Sequence, residues 1–212
     1  MTNSQTLANA LSAHAVSVPD QQLSILQQYC EQLWEWNTRF NLTRHTDYES
    51  FVTRDLHDSQ QLAKHLQSNE SVLDVGAGGG VPGIVLAVLN PALTVTLAES
   101  TQKKAAALEA IIGVLGLPIT VFAERAEDVL SHRAFDTITA RAVAPLKKLI
   151  PWFQPRQKNL GRMLLLKGPA WKTEYDEANE ALLLRHVNIE VISEYATAGR
   201  TRKSVILEVK FA

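Results

Sequence analysis

Three kinds of residue in this chain could do chemistry together: a carboxylate that leads into clustered glycines, acidic residues placed after later apolar runs, and an arginine after another. The first lies in Val72-Leu73-Asp74-Val75-Gly76-Ala77-Gly78-Gly79-Gly80-Val81-Pro82-Gly83, where five glycines fall among the eight residues from Gly76 to Gly83. Glycine admits positive φ and removes the Cβ that would hold a ligand away from the backbone. Pro82 suits a first helical turn, where its missing N–H is an orphan donor and its fixed φ already fits. The apolar run Ile84 to Leu89 follows. A strand, a tight loop and a helix start are implied, and the loop is shaped for close approach of a small molecule to a helix N-terminus.

Gly78-x-Gly80-x-x-Gly83 formally satisfies the dinucleotide fingerprint, in which the first glycine turns directly after the strand. Here the strand leads straight into Gly76, so the register is Asp-x-Gly-x-Gly-x-Gly, with Asp74, Gly76, Gly78 and Gly80 in its four fixed places. That pattern is similar to the one with which class I methyltransferases bind S-adenosylmethionine. This ligand carries no phosphate but has a carboxylate, an ammonium, a sulfonium and a ribose. Asp74 suits the ammonium, directly or through water, and backbone N–H groups suit the carboxylate.

In an open α/β sheet, ligands sit at the carboxyl ends of the strands beside the point where strand order reverses. Glu99 ends the second strand candidate, where its carboxylate can accept both ribose hydroxyls. Ala126 and Glu127 follow the third and would lie over the adenine; the plainer reading of Glu127 and Asp128 is that they complement a helix dipole. Arg141 follows the fourth, at the rim where methyl donor and acceptor must meet, and its expected role is positioning. Absences narrow the acceptor. Carbon-5 methylation of a pyrimidine normally needs a cysteine near the fourth strand, and the only cysteine is Cys30. Exocyclic amine methylation usually goes with Asn/Asp-Pro-Pro-aromatic, whereas this segment reads Arg141-Ala142-Val143-Ala144-Pro145. Guanine N7 needs neither device, since it offers a lone pair and has no proton to lose. In-line alignment would then suffice, with no general base. Ribose 2′-oxygen and small-molecule acceptors stay open on this argument.

The elements that must position these residues change texture near residue 70. The first part, 1–70, reads as a helical extension. Ser17-Val18-Pro19-Asp20 opens a helix with Leu23, Leu26, Cys30 and Leu33 on one face. Thr46-Asp47-Tyr48-Glu49 fits a capping box for the next, with Leu56, Leu62 and Leu66 as its stripe. From 71 to 212 strands and helices alternate, with strand candidates at Val72–Val75, Thr94–Ala98, Ile119–Ala123, Thr137–Ala140, Met163–Leu166, Val187–Glu194 and Ser204–Lys210. Helices are expected at Gln102–Leu115, stopped by Gly116 and Pro118, and at Trp171–Leu184. No helix separates the last two strands, so they form an antiparallel edge hairpin on an otherwise parallel, doubly wound sheet. The implied class is α/β: a Rossmann-like methyltransferase domain with seven strands and an antiparallel last one.

The 212 residues carry a net charge of −1, with 46% hydrophobic residues, an ordinary composition for one core plus an appendage. Residues 1–100 hold 4 Lys and Arg against 10 Asp and Glu, and residues 101–212 hold 17 against 12. Between Asp136 and Glu174 every charge is basic, which makes this stretch a candidate polyanion surface, with Lys147 and Lys148 as contacts and Arg202 as a further one near the C-terminus. A single cysteine excludes an intrachain disulfide, and no metal-ligand pattern occurs. No apolar run is long enough for a membrane span, and the first residues lack the basic and apolar regions of a signal peptide, so a cytoplasmic protein is expected.

Together these pieces resemble the GidB family, the bacterial small-subunit (16S) ribosomal RNA guanine-N7 methyltransferases. Trp36-Asn37-x-x-Phe40-Asn41-Leu42-Thr43 is similar to the family's W-N-x-x-[YF]-N-L-T, and Arg54-x-x-x-Asp58-Ser59 to its R-H-x-x-D-S. VLDVGAGGGVPG is similar to its D-V-G-T-G-x-G-x-P-G, Arg141-Ala142 to S-R-A, and Leu166-Lys167-Gly168 to L-K-G. The resemblance runs from about Gln22 to Val209. It implies the donor S-adenosylmethionine against Gly76, Val81, Ala126, Glu127 and Arg141, and acceptor contacts from Asn41, Thr43, Arg54, Asp58 and Lys167. It also implies small-subunit rRNA, free or assembled, as partner; a monomer is expected. Three positions depart from the pattern: Asp55 replaces its histidine, Ala77 its threonine and Ala140 its serine. Asp55 would remove a cation from the RNA side. An NAD-dependent oxidoreductase and a non-catalytic rRNA-binding protein are the alternatives, although no Tyr-x-x-x-Lys pair supports the first.

Overall fold

The computed structural model describes residues 6–196 and 203–212. Helices α1 (Leu7–Ala13) and α2 (Asp20–Asn37) come first. A short α3 (Tyr48–Ser50) then runs through a π-helical stretch, Phe51–Leu56, into α4 (His57–Ala63). In α2 the spacing Leu26, Tyr29, Cys30, Leu33 makes one buried face. The N-cap is Pro19 rather than Ser17, because the Pro19 carbonyl accepts the first helical bond, from the Leu23 N–H at 2.9 Å. The next cap is Asp47 rather than Thr46. One Asp47 carboxylate oxygen accepts from the Ser50 N–H at 2.7 Å and the other from the Ser50 hydroxyl at 2.8 Å, and Glu49 turns away to His14.

Strand β1 (Ser71–Val75) and helix α5 (Gly83–Leu89) flank the glycine loop. There follow β2 (Thr94–Ala98), α6 (Gln102–Leu115), β3 (Thr120–Phe122), α7 (Ala126–Val129) and β4 (Phe135–Arg141). Next come α8 (Leu146–Phe153), a 3₁₀ turn Gln154–Asn159, β5 (Leu160–Lys167), α9 (Trp171–Glu180), β6 (Val187–Tyr195) and β7 (Ser204–Phe211). Gly116 at φ +62° ends α6 where the sequence predicts. Helix α9 stops four residues short of the expected Leu184, and Leu182 takes a positive φ in the turn beyond.

The sheet has the order β3-β2-β1-β4-β5-β7-β6. Strands β1 to β5 are parallel, and β7 runs antiparallel to both β5 and β6. Alternation along the strands divides the core in two. Val72, Leu97, Leu164, Leu166 and Ile206 meet α5, α6 and the N-terminal helices, while Leu73, Val75, Ile138, Leu165 and Leu207 meet α7, α8 and α9. The N-terminal helices thus share one apolar cluster with the sheet. Strand order reverses between β1 and β4, so the glycine loop and Arg141 emerge side by side.

The basic stretch 137–173 does not form one surface. Arg162 sits on the inner face of β5, where its guanidinium reaches Glu70 at 2.9 Å, Glu208 at 3.0 Å and the His65 carbonyl at 2.6 Å. Strand alternation put it there with Leu164 and Leu166. Lys147 pairs with Glu177 at 2.8 Å, and Lys148 stays exposed on α8. Glu70 of the first half thus helps to neutralise Arg162 of the second, while Glu208 and Glu177 pair within the second half itself. Among the described residues no helix is long and apolar enough to cross a membrane.

Candidate active site

A cavity of about 860 Å³ opens where β1 and β4 end. Gly76, Gly78 and Val81 of the loop line it, with Arg141 and Ala142 on the opposite wall. Asn41, Thr43, Arg54 and Asp58 of the N-terminal part and Lys167 and Gly168 after β5 complete it. The structure therefore brings the loop and five of the expected acceptor-side residues into one cleft. Lys147 and Lys148 are absent from its lining, and Arg202 lies outside the described residues.

The loop is shaped by backbone demands. Gly76 has φ +61° and an exposed backbone at the cleft, and a Cβ there would lie 3.1 Å from the Val143 side chain. The Gly78 N–H donates to Glu99 Oε2 at 3.0 Å, and the Thr101 N–H to Glu99 Oε1 at 2.8 Å. A carboxylate offers about four lone-pair sites, so each Glu99 oxygen keeps one for a further donor such as a ribose hydroxyl. Close-approach glycines and this half-used carboxylate fit an S-adenosyl ligand. Ala126 and Glu127 follow β3, next in the sheet to β2 and Glu99; Glu127 pairs with Arg125 at 3.2 Å. None of Glu99, Ala126 and Glu127 lines the cavity itself.

Asp74 departs from expectation. It is 1% exposed and absent from the cleft lining, with Oδ2 accepting the Gly83 N–H at 2.9 Å and Oδ1 the Thr139 hydroxyl at 2.9 Å. Facing inward from β1, it ties α5 and β4 to the loop instead of touching an ammonium directly. Burial pushes its pKa from 3.8 up to about 7, against the lowering effect of those two bonds and of Arg141. The sign follows from linkage. The neutral form is favoured in the fold, so its contribution is full below the unfolded value and is lost as pH rises through about 7. Asp74→Asn, neutral throughout, is expected to abolish this part of the decline in thermal midpoint between about pH 4 and 7. A variant that declines in parallel with the wild type would assign the effect elsewhere.

The loop is also braced from the N-terminal helices. The Tyr29 hydroxyl of α2 donates to the Gly79 carbonyl at 2.7 Å inside the core, and burial pushes the phenol pKa well up, so it remains a donor. Asn37 accepts from the Leu42 and Thr43 N–H groups at 2.8 and 2.9 Å, which folds the Asn41–Thr43 turn against the cleft. Lys167 donates to the Ala144 carbonyl at 2.7 Å and to Glu174 at 2.6 Å, so much of its donor capacity is spent inside the protein.

Arg141 is the residue around which the cleft is charged. Its Nη1 lies 2.7 Å from Asp55 Oδ1 and 3.4 Å from Asp58 Oδ2. Asp55 is only 1% exposed, and its other oxygen lies 3.0 Å from His45 Nδ1. The concern that Asp55 removes a cation from an RNA surface is therefore corrected: it faces inward and holds the arginine. Sequence reasoning also passed over Arg44, Lys104 and Tyr195, which line the cleft. The signal for Asp55 was present. Phe51, Val52, Leu56, Ser59 and Leu62 are the buried residues of this helical segment, and Asp55 falls among them at helical spacing.

Comparison with known proteins identifies the lineage. Residues 22–204 match the family described as rRNA small subunit methyltransferase G (GidB). The ribosomal RNA small subunit methyltransferase G of Rhodopirellula baltica is 46% identical over 170 residues, 80% of this chain and 74% of that one. Among solved structures, a mutant of MtNAS in complex with S-adenosylmethionine superposes with a TM-score of 0.59 at 13% identity, covering 100% of this chain and 86% of that one. M. capricolum TrmK in complex with S-adenosylhomocysteine gives 0.56 at 14%, covering 72% and 68%. Those two likenesses concern the fold; the family rests on the sequence, and this chain belongs to the rRNA small subunit methyltransferase G family.

Proposed function

We propose that this protein transfers the methyl group of S-adenosylmethionine to N7 of a guanine in small-subunit ribosomal RNA. Family membership supports the reaction class and the RNA. The bound donor would supply an electrophilic methyl on a sulfonium. Gly76, Gly78, Val81 and Glu99 would hold it, with Ala126 and Glu127 at its adenine end, and Asn41, Thr43, Arg54, Asp58 and Lys167 would face the acceptor.

The observation that carries the N7 reading is the state of the cleft's carboxylates. Asp58 already accepts from the Tyr195 hydroxyl at 2.8 Å and lies by Arg141, and Glu174 accepts from Lys167 and from the Leu146 N–H at 3.1 Å. Both are engaged by donors of the protein itself. A nucleophile with no proton to lose asks for no base from these carboxylates, and guanine N7 is one. A dinucleotide and a non-catalytic role gain nothing from the family match. The direct test maps N7-methylguanosine in rRNA from a strain lacking the protein: loss of one small-subunit site is expected, and an unchanged pattern sinks the assignment.

Arg44 and Arg54 line the cleft and have no carboxylate partner among the described residues, which suits them to RNA phosphates. Replacing either by alanine is expected to weaken rRNA binding and reduce the slope of log affinity against log salt by about one. An unchanged slope would place the phosphate contacts elsewhere. In this reading the protein works in the cytoplasm, as a monomer, on small-subunit RNA free or assembled.

A further inference from the structure

Arg141 brings a positive charge to the cleft that a sulfonium would share, an arrangement that should weaken donor binding unless something offsets it. The structure contains the offset. Asp55 and Asp58 approach the same guanidinium nitrogen, at 2.7 and 3.4 Å, so two carboxylates face one cation. Tyr195 donates to Asp58 Oδ1 at 2.8 Å, and desolvation, with Asp58 beside it, keeps that phenol neutral by raising its pKa. Burial disfavours the charged guanidinium, and the two carboxylates more than compensate, so Arg141 stays protonated. Asp55 and Asp58 thus more than neutralise Arg141 itself, while Arg44, Arg54 and Lys104 are further cations of the cleft lining.

Asp55 also sets where the guanidinium points. It is buried, lies within a helical segment packed in the core, and bridges Arg141 to His45, so its own position is tightly held. Arg141 and Asp58 line the cleft along with Gly76 and Val81.

We infer that Asp55 is the positioning residue of Arg141 and that Asp55 and Asp58 together bias the cleft toward a cationic sulfonium donor over its neutral thioether product. This rests on the donor reading above. Its consequence is that the spent donor is held less tightly than the fresh one, which limits product inhibition.

The test is calorimetric, on the intact protein, with S-adenosylmethionine and S-adenosylhomocysteine as paired probes. Asp58→Asn is nearly isosteric and removes one charge at the cleft; Asp55→Asn does the same from behind, and its thermal midpoint reports whether it folds. In each folded variant the ratio of product to donor dissociation constants is expected to fall by about five-fold or more, as loss of a nearby unit charge implies. A purely structural role would weaken both ligands equally, and an unchanged ratio in Asp58→Asn overturns the inference. A wild-type protein that binds neither ligand overturns the donor reading and this inference with it. Binding of both by the wild type with an unaltered ratio in the variants overturns this inference alone.

Discussion

Gly83→Ala is expected to lower stability by about 3 kcal/mol or more, the upper end of core overpacking. For a chain of this size that corresponds to a fall of roughly 6–12 °C in thermal midpoint. The first residue of α5 packs so tightly on β1 and β2 that a Cβ there would lie 2.3 Å from Leu97 Cδ2, 2.8 Å from Asp74 Oδ2 and 2.9 Å from Asp74 Cβ. Leu97 is fully buried and Asp74 is 1% exposed, so neither side chain has free space to retreat into. Relief would come from lifting the start of α5, and that breaks the 2.9 Å bond from the Gly83 N–H to Asp74. Because the same loop forms one wall of the cleft, donor affinity should fall with stability. Gly113→Ala is the matched control: this glycine lies within α6 with nothing within 4 Å of its would-be Cβ. There the substitution is expected to gain about 0.5–1 kcal/mol, by helix propensity and by restricting the unfolded chain. Unfolding curves of the two variants check the contrast; a Gly83→Ala protein as stable as the wild type would refute the packing argument.

Arg141→Ala should cost both catalysis and stability. Removing the guanidinium leaves Asp55 buried without its 2.7 Å partner, and stranding one member of a buried ion pair typically costs about 3–5 kcal/mol. Half-burial of the arginine and the remaining His45 contact place the expectation near the lower bound, about 3 kcal/mol. Methyl transfer should fall by about 100-fold, the size that misplacement at a reacting centre produces. Arg141→Lys separates the two effects. It keeps the charge and should recover part of the stability, but it lacks the planar fork that addresses Asp55 while facing the cleft. Single-turnover methylation rates and thermal midpoints measured on both variants decide the matter. An unaltered rate in Arg141→Ala would remove Arg141 from the reaction, and an unaltered midpoint would show that Asp55 does not depend on it.

The fold was largely legible because its signals are periodic and local. Every strand candidate lies within three residues of an observed strand at each end, and the Asp-x-Gly-x-Gly register located the loop. The charge pattern was harder to read, since a linear count of lysines and arginines ignores which face each one occupies. Arg162 counted toward a basic surface although strand alternation turns it inward to Glu70 and Glu208. Asp74 ends a strand, as a ligand-binding carboxylate would, but Gly83 and Thr139 claim both of its oxygens, and those partners come from elements distant in sequence. Asp55 differs from the family pattern, but its place on the buried face of its own helical segment is what sets its role. The Asp55–Arg141 contact spans 86 residues, a separation at which no local pattern signals contact.

The hydrogen bond from Tyr29 to the Gly79 carbonyl has a thermodynamic reach beyond the loop it braces. Helix α2 has Tyr29, Cys30 and Leu33 in the same apolar cluster as α5 and α6. A ligand that selects one arrangement of the loop must therefore also select the seated arrangement of α2, and mass action makes that coupling mutual. Amide hydrogens of α2 should exchange more slowly when the cleft is filled, and a protein shortened to begin at β1 should lose donor affinity even though the glycine sequence is intact.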